Sequence, residues 1–264
     1  FHVWSENYDR TLDDIFGIQD EIAEKVGGAL SASLLGTAAT TPVAVAGATT
    51  EIPDAYDLYL QALNSRTTFS HGELESGERL LKGALTIDPG FLEAKTELAN
   101  NYLHQVETGL LDQATAFPEA IALVDQVLAV RPDDVDARAI KIFTTAAGQA
   151  QREGPQTFFA AVSELEEIVA EAPEALSPRI LLTRFYQGLQ QSERAIPLMQ
   201  DALKNDPFNA RIHYEIGNLH IALEQWDEAR EALQRSLELE PAQPNALANL
   251  AAVSIQLGDG LDYL

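Results

Sequence analysis

The chain has 264 residues, a formal net charge of −24 from 41 acidic and 17 basic side chains, and no cysteine. The lack of cysteine excludes a disulfide framework, a cysteine-based zinc finger and a thiol nucleophile. The negative charge opposes contact with nucleic acid or an anionic membrane, whereas it permits basic protein partners. The sequence has no run of eighteen apolar residues, so we predict no membrane-spanning segment within it.

The first part of the chain predicts a short strand, a long helix and a linker. Alternating apolar side chains favour a strand over residues 1–8, which would need a sheet to join. Residues 12–35 carry an apolar stripe at helical spacing, with acidic residues on the opposite side. Residues 36–50 have no charge and no helical period, and we predict a linker over residues 36–52.

From residue 53 onward, five prolines follow helical patterns at a constant distance from a small residue. The prolines are Pro89, Pro132, Pro173, Pro207 and Pro241. Twelve residues before each proline lies a small residue: Gly77, Ala120, Ala161, Ala195 or Ala229. Four residues after the small residue lies a larger apolar one: Leu81, Val124, Leu165, Met199 or Leu233. The last two intervals between prolines are 34 residues each.

This pattern resembles the tetratricopeptide repeat, a helix-turn-helix unit of 34 residues that stacks into a solenoid. Further matches in the first helices are Leu98-Ala99 with Tyr102, and Leu182-Thr183 with Tyr186. We therefore predict an all-α solenoid of about five repeats plus a partial sixth, preceded by the strand and the long helix. The predicted unit boundaries are 53–90, 91–133, 134–174, 175–208, 209–242 and 243–264.

Two intervals between prolines are longer than the repeat, at 43 and 41 residues. The additional residues fall between the two helices of the second and third units, around residues 107–117 and 148–156. Either the helices are extended by about two turns, or the connecting turns are longer loops. In the first unit, Asp54 is predicted to cap the first helix.

The opening segment resembles the last strand and closing helix of a TolB-like α/β domain. The resemblance is carried by Val3-Trp4-Ser5-Glu6, Tyr8-Asp9-Arg10, Ile15-Phe16 and Gln19-Asp20-Glu21-Ile22. It implies that residues 1–35 are the end of a domain whose larger part is missing. Because the chain also lacks an initiator methionine, we expect a fragment of a longer bacterial polypeptide. By the same resemblance, such repeats follow membrane-anchored winged-helix regulators or class III nucleotide cyclases.

The sequence contains no combination of residues that predicts catalysis or cofactor binding. Its five histidines lack the spacing of metal ligands, and no phosphate loop or nucleophile elbow is present. We predict that this fragment is not an enzyme and holds no cofactor and no metal ion.

The tetratricopeptide resemblance implies a concave surface, lined by the first helix of each unit, that binds a protein or peptide. The equivalent positions here give the candidate partner-binding residues Asn100, Phe143, Arg184, Arg211, Tyr214, Asn218 and Asn249. Arg184 and Arg211 are predicted to meet acidic groups on a partner. Tyr214 either contacts a partner or fills a gap between adjacent first helices. Asn218 and Asn249 resemble an asparagine pair of chaperone-binding members, but the lysines of that carboxylate clamp are missing.

These observations predict a protein- or peptide-binding scaffold or sensor module of a larger bacterial signalling or envelope protein. The alternatives are the regulatory C-terminal region of a class III cyclase or of a winged-helix regulator, or a purely structural spacer. We expect no contact between this fragment and nucleic acid. The sequence leaves the oligomeric state open, and also the compartment, which is periplasmic if a membrane span precedes the fragment and cytoplasmic otherwise.

Overall fold

A computed structural model describes residues 50–64 and 70–258 of the chain. The predicted strand over residues 1–8, the predicted helix over residues 12–35 and most of the predicted linker lie outside this part. The segment that resembles a TolB-like domain therefore stays a prediction. Residues 259–264 of the predicted partial repeat also lie outside it.

Eleven α-helices and one short 3-10 turn make up the regular structure of the described residues, which contain no β-strand. The helices are α1 (Pro53–Asn64), α2 (His71–Ile87), α3 (Leu92–Glu107), α4 (Gln113–Val130), α5 (Val135–Glu153), α6 (Phe158–Glu171), α7 (Leu176–Gly188), α8 (Ser192–Asn205), α9 (Ala210–Ala222), α10 (Trp226–Leu239) and α11 (Pro244–Leu257), and the 3-10 turn is Pro155–Thr157. Each helix packs against the next along the chain, and α3, α5, α7, α9 and α11 also contact one another in series. This is the helix packing of an all-α solenoid, as predicted, with the odd-numbered helices side by side.

The repeat prolines end the even-numbered helices at a constant position. α2, α4, α6, α8 and α10 all end two residues before their proline. The residue before each proline has left the helical region, with φ between −123° and −137° and ψ between 74° and 93°. Proline causes this because its ring clashes with a preceding residue in the α conformation. The five prolines therefore fix where one helix pair ends and the next begins.

The small residues of the repeat lie where helices cross closely. Ala120, Ala195 and Ala229 are fully buried, and so are the larger apolar residues four positions later, such as Leu233. Between α9 and α10 the helices approach so closely that a Cβ atom on Gly217 would lie 2.7 Å from Cγ of Leu233. Only glycine fits this position without moving its neighbours.

The long intervals of the second and third units are mainly extensions of helices, the first of the two predicted alternatives. α3 and α4 have 16 and 18 residues, compared with 13 and 14 for α9 and α10 in a unit of normal length. α5 is longer still, with 19 residues. The extension of α3 places its last turn, which includes Glu107, beyond the end of a normal first helix.

Polar side chains cap several of these helices at the N-terminus. Oδ1 of Asp112 accepts a hydrogen bond from the Thr115 amide at 2.8 Å, and Asp134 caps α5 in the same way. The predicted cap at Asp54 is wrong, because α1 begins at Pro53 and Asp54 lies within its first turn. There its negative charge still favours the positive end of the helix dipole.

Replacing Gly217 with alanine tests the close crossing of α9 and α10. Alanine favours a helix over glycine by about 1 kcal/mol, but here the added methyl group would meet Leu233. We expect Gly217→Ala to lower the free energy of unfolding by about 1–3 kcal/mol, the usual cost of overpacking. The matched control is Gly72→Ala in α2, where a Cβ atom has no neighbour within 4 Å. Denaturant unfolding should show no loss for this control, and an equal effect of both variants would contradict the packing described.

Candidate functional site

The odd-numbered helices line a cavity of about 650 Å³ on one side of the solenoid. Its wall is formed by residues of α3, α7 and α9, including Asn100, Leu181 and Arg211. Residues 206–209, which connect α8 to α9, complete it. We call this space the concave cavity.

Two arginines at the concave cavity share one carboxylate from a distant helix. Glu107, at the end of α3, accepts from Nη2 of Arg184 at 2.5 Å and from Nη2 of Arg211 at 3.2 Å. Arg211 also pairs with Glu215 one turn further along α9, at 2.6 Å. Nδ1 of His104 lies 3.1 Å from Glu107. We call these five residues the Glu107 cluster.

The Glu107 cluster joins parts of the chain that are far apart in sequence. Glu107 is separated from Arg184 by 77 residues and from Arg211 by 104. A glutamate at the end of a helix is unfavourable because the helix dipole is negative there. The two guanidinium groups offset this charge, so the extended α3 can bring Glu107 against α7 and α9. The additional turn of the second unit thus connects it to the fourth and fifth.

Burial and charge together set the protonation of the cluster. Burial would raise the pKa of Glu107, but Arg211 and Arg184 hold that pKa well below its usual range. Burial lowers the pKa of His104 to about 4, although its hydrogen bond to Glu107 acts in the opposite direction. At neutral pH the imidazole of His104 is therefore neutral and the side chain of Glu107 is a carboxylate.

Only three of the predicted partner-binding residues line the concave cavity, namely Asn100, Arg184 and Arg211. Both arginines already form ion pairs with carboxylates of this chain. The prediction that they meet acidic groups of a partner therefore requires displacement of Glu107.

The other predicted residues pack within the solenoid. Tyr214 is 9% exposed and belongs to a core cluster with Leu233 of α10 and Val253 of α11. Phe143 stacks on Phe185 with ring centroids 5.0 Å apart.

The predicted asparagine pair is formed, but within the chain. Nδ2 of Asn249 donates to Oδ1 of Asn218 at 2.7 Å. This bond joins α11 to α9 and uses one donor and one acceptor that a peptide backbone would otherwise need.

Two residues of this surface, Glu107 and Phe208, are not predicted from the sequence. Phe208 follows a repeat proline, lines the concave cavity and is 72% exposed. The long interval between Pro89 and Pro132 indicated additional residues near Glu107. It does not show that α7 and α9 bring Arg184 and Arg211 next to that side chain.

Within residues 50–64 and 70–258, no group of three or more histidine, aspartate and glutamate side chains is placed to hold a metal ion. No helix in the same part of the chain is long and apolar enough to cross a membrane.

The family model described as tetratricopeptide repeat matches residues 186–245 and 214–259. The structure is similar to TTC0263, a thermophilic TPR protein of Thermus thermophilus. The TM-score is 0.58, with 76% of this chain and 99% of that chain covered at 18% identity. Human IFIT1, solved as a dimer with m7Gppp-AAAA, gives a TM-score of 0.59 at 17% identity, covering 78% of this chain and 47% of IFIT1. At these identities the similarity concerns the fold alone.

Among curated proteins, the putative adenylate cyclase 3 of Rhizobium meliloti (strain 1021) is 34% identical over 98 residues. The match covers 37% of this chain and 16% of the cyclase, so the shared part is a small fraction of that relative. The family match places tetratricopeptide repeats within residues 186–259, and the packing of the helices shows that the described residues form an all-α solenoid. Such repeats are typically interaction modules without catalytic activity.

Replacement of Glu107 tests how strongly the cluster holds the solenoid together. Glu107→Gln keeps the shape of the side chain but removes the charge shared by Arg184 and Arg211. We expect unfolding free energy to fall by about 1.5–3 kcal/mol, as for a lost hydrogen bond to a charged group. The control is Glu171→Gln, which breaks a more exposed 2.6 Å pair with Arg138 and should cost less than about 1 kcal/mol. Equal losses would contradict a special role for the cluster.

His104 should make the protein sensitive to mild acid. Its pKa in the folded protein is about 4, compared with 6.5 in an ordinary histidine. As the pH falls from about 6.5 towards about 4, the unfolded chain binds a proton that the folded chain does not, so stability falls. His104→Gln removes this contribution.

The measurement is the unfolding free energy of wild type and His104→Gln at pH 7 and pH 4.5. Wild type should lose more stability than the variant between the two values. Parallel pH profiles would show that His104 is not held neutral in the folded protein.

Proposed function

We propose that the described residues act as a protein- or peptide-binding module and that the concave cavity is the binding surface. The observation that carries this proposal is the combination of the cavity with an exposed aromatic residue, Phe208, in its wall. A volume of about 650 Å³ is in the range of ligand-binding clefts, about 300–1,000 Å³. Extended concave faces are the surfaces that solenoid proteins use for binding.

This module belongs, in our proposal, to a larger bacterial signalling protein in which it serves as scaffold or sensor. The 34% identity to a segment of a putative adenylate cyclase supports this context, because that relative is far longer than the shared segment. The resemblance of residues 1–35 to the end of a TolB-like domain points the same way.

A specific alternative is that the repeats regulate a nucleotide cyclase within the parent chain. The same match to the putative cyclase favours it over a winged-helix regulator. The test is cyclic AMP production by the full parent chain, with and without the substitution Phe208→Ala. A change in activity would support regulation through the cavity, and a parent chain without cyclase activity would exclude this alternative.

Phe208→Ala tests the proposed binding surface directly. Since Phe208 is 72% exposed, its loss should leave folding unchanged but weaken partner binding, because aromatic residues often dominate interface energy. The matched control is Phe159→Ala on α6, where the side chain is 58% exposed and lies outside the cavity lining. In affinity capture from the source bacterium, wild type and control should retain the same partner, and Phe208→Ala should lose it. Full retention by Phe208→Ala would reject the cavity as the binding surface.

A further inference from the structure

The charged groups that face the concave cavity are mainly negative, although two arginines line it. Arg184 and Arg211 are balanced by Glu107 and Glu215 within the Glu107 cluster. The other charged residues of the cavity wall are all acidic: Glu97, Asp136, Asp206 and Glu240. An incoming ligand therefore meets a negative potential, which attracts cations and repels anions.

Asp206 and Glu240 repeat along the cavity with the period of the solenoid. They are 34 residues apart, and each directly precedes the proline of its unit. Their carboxylates accept hydrogen bonds from Asn209 at 2.9 Å and from Gln243 at 2.7 Å. In the described part of the chain neither carboxylate has an arginine or lysine partner. Both can therefore receive a cation without the loss of an existing ion pair.

The repeat of the two carboxylates suits an extended peptide. Asp206 and Glu240 directly precede the turns that lead into α9 and α11, which contact each other, and helices in contact lie about 8–10 Å apart. An extended chain advances about 3.3 Å per residue, so three residues span about one unit. Positive side chains at every third position of a peptide would thus meet successive units.

Phe208 provides an apolar contact beside these charges. It lies two residues after Asp206 and lines the same cavity with most of its ring exposed. A ring in this position can attract a cation and can pack against the long apolar stem of a lysine or arginine. The surface therefore offers a basic side chain both a carboxylate for its charge and an aromatic ring for its apolar stem.

We propose that the concave cavity binds an extended, lysine- or arginine-rich segment of a partner protein, with its cations at Asp206 and Glu240 and an aliphatic stem on Phe208. This inference rests on the proposed function and adds the chemical class of the partner. It also reverses the prediction that the arginines of this surface select an acidic partner.

The first experiment uses two labelled peptides of about twelve residues, long enough to span several units at about 3.3 Å per residue. One has lysine at every third position between alanine and serine, and the other has glutamate at the same positions. Fluorescence anisotropy at fixed, near-physiological salt measures their binding to the full chain. We expect the lysine peptide to bind and the glutamate peptide and a single-stranded oligonucleotide to remain free.

Two pairs of substitutions separate binding at the cavity from attraction to a negative protein. Asp206→Asn with Glu240→Gln removes the cavity carboxylates. Glu164→Gln with Glu167→Gln removes two exposed carboxylates of α6 and changes the net charge equally. We expect the first pair to weaken lysine-peptide binding about tenfold and the second to change it less than about twofold. Asp206→Glu with Glu240→Asp keeps both charges and should preserve binding, which guards against an effect of folding alone.

The possible results distinguish this inference from the proposed function. Equal weakening by the two neutralising pairs, or tighter binding of the glutamate peptide, would overturn the inference and leave the cavity available to another partner. Absence of lysine-peptide binding, together with loss of the cellular partner in Phe208→Ala, would also reject the basic segment but retain the binding surface. If neither peptide binds and Phe208→Ala keeps every partner, both proposals fail.

Discussion

In each helix pair of the solenoid, a small residue at the crossing sets the distance between the two helices. The arrangement of the whole solenoid depends on this constraint. Gly217 shows it most clearly, because a single methyl group there would overlap Leu233. Buried alanines at the crossings of α4 and α8 have the same role. Proline then ends the second helix of each pair. Close approach within each pair and a common end point of its second helix allow successive pairs to stack in the same way.

The Glu107 cluster adds a contact of another kind, since it joins units that are not neighbours. A solenoid is held mainly by contacts between adjacent repeats, but here a lengthened α3 meets α7 and α9 through charges. The cluster also changes the chemistry of the concave cavity. It balances Arg184 and Arg211 within the chain, so the other charged residues of the cavity wall, which include Asp206 and Glu240, are all acidic. An insertion that lengthens one helix thus brings a carboxylate against two arginines of the cavity wall.

The local features of this fold could be predicted from the sequence, because they depend on residue type at fixed spacing. The prolines, the small residues and the larger apolar residues all occupy the predicted environments. The features that could not be predicted arise between distant units. Nothing in the pattern around Arg184 shows that Glu107 of another unit lies 2.5 Å away. Tyr214 has the residue type of a binding residue, yet it is buried because side chains of α10 and α11 pack against it. The resemblance to tetratricopeptide repeats therefore identified the odd-numbered helices as those that line the concave cavity. It did not show which of their side chains are exposed to a partner.

Binding of a partner protein in the concave cavity is the proposal on which the functional interpretation depends. A photoreactive benzoylphenylalanine in place of Phe208, introduced into the full parent chain in living cells, tests it without purification of the partner. The same group in place of Phe159 on α6 provides a comparison on an exposed surface outside the cavity. We expect illumination to yield a discrete crosslinked partner from position 208 and none from position 159, with basic residues in the crosslinked peptide. Crosslinking from position 159 alone would contradict binding in the cavity.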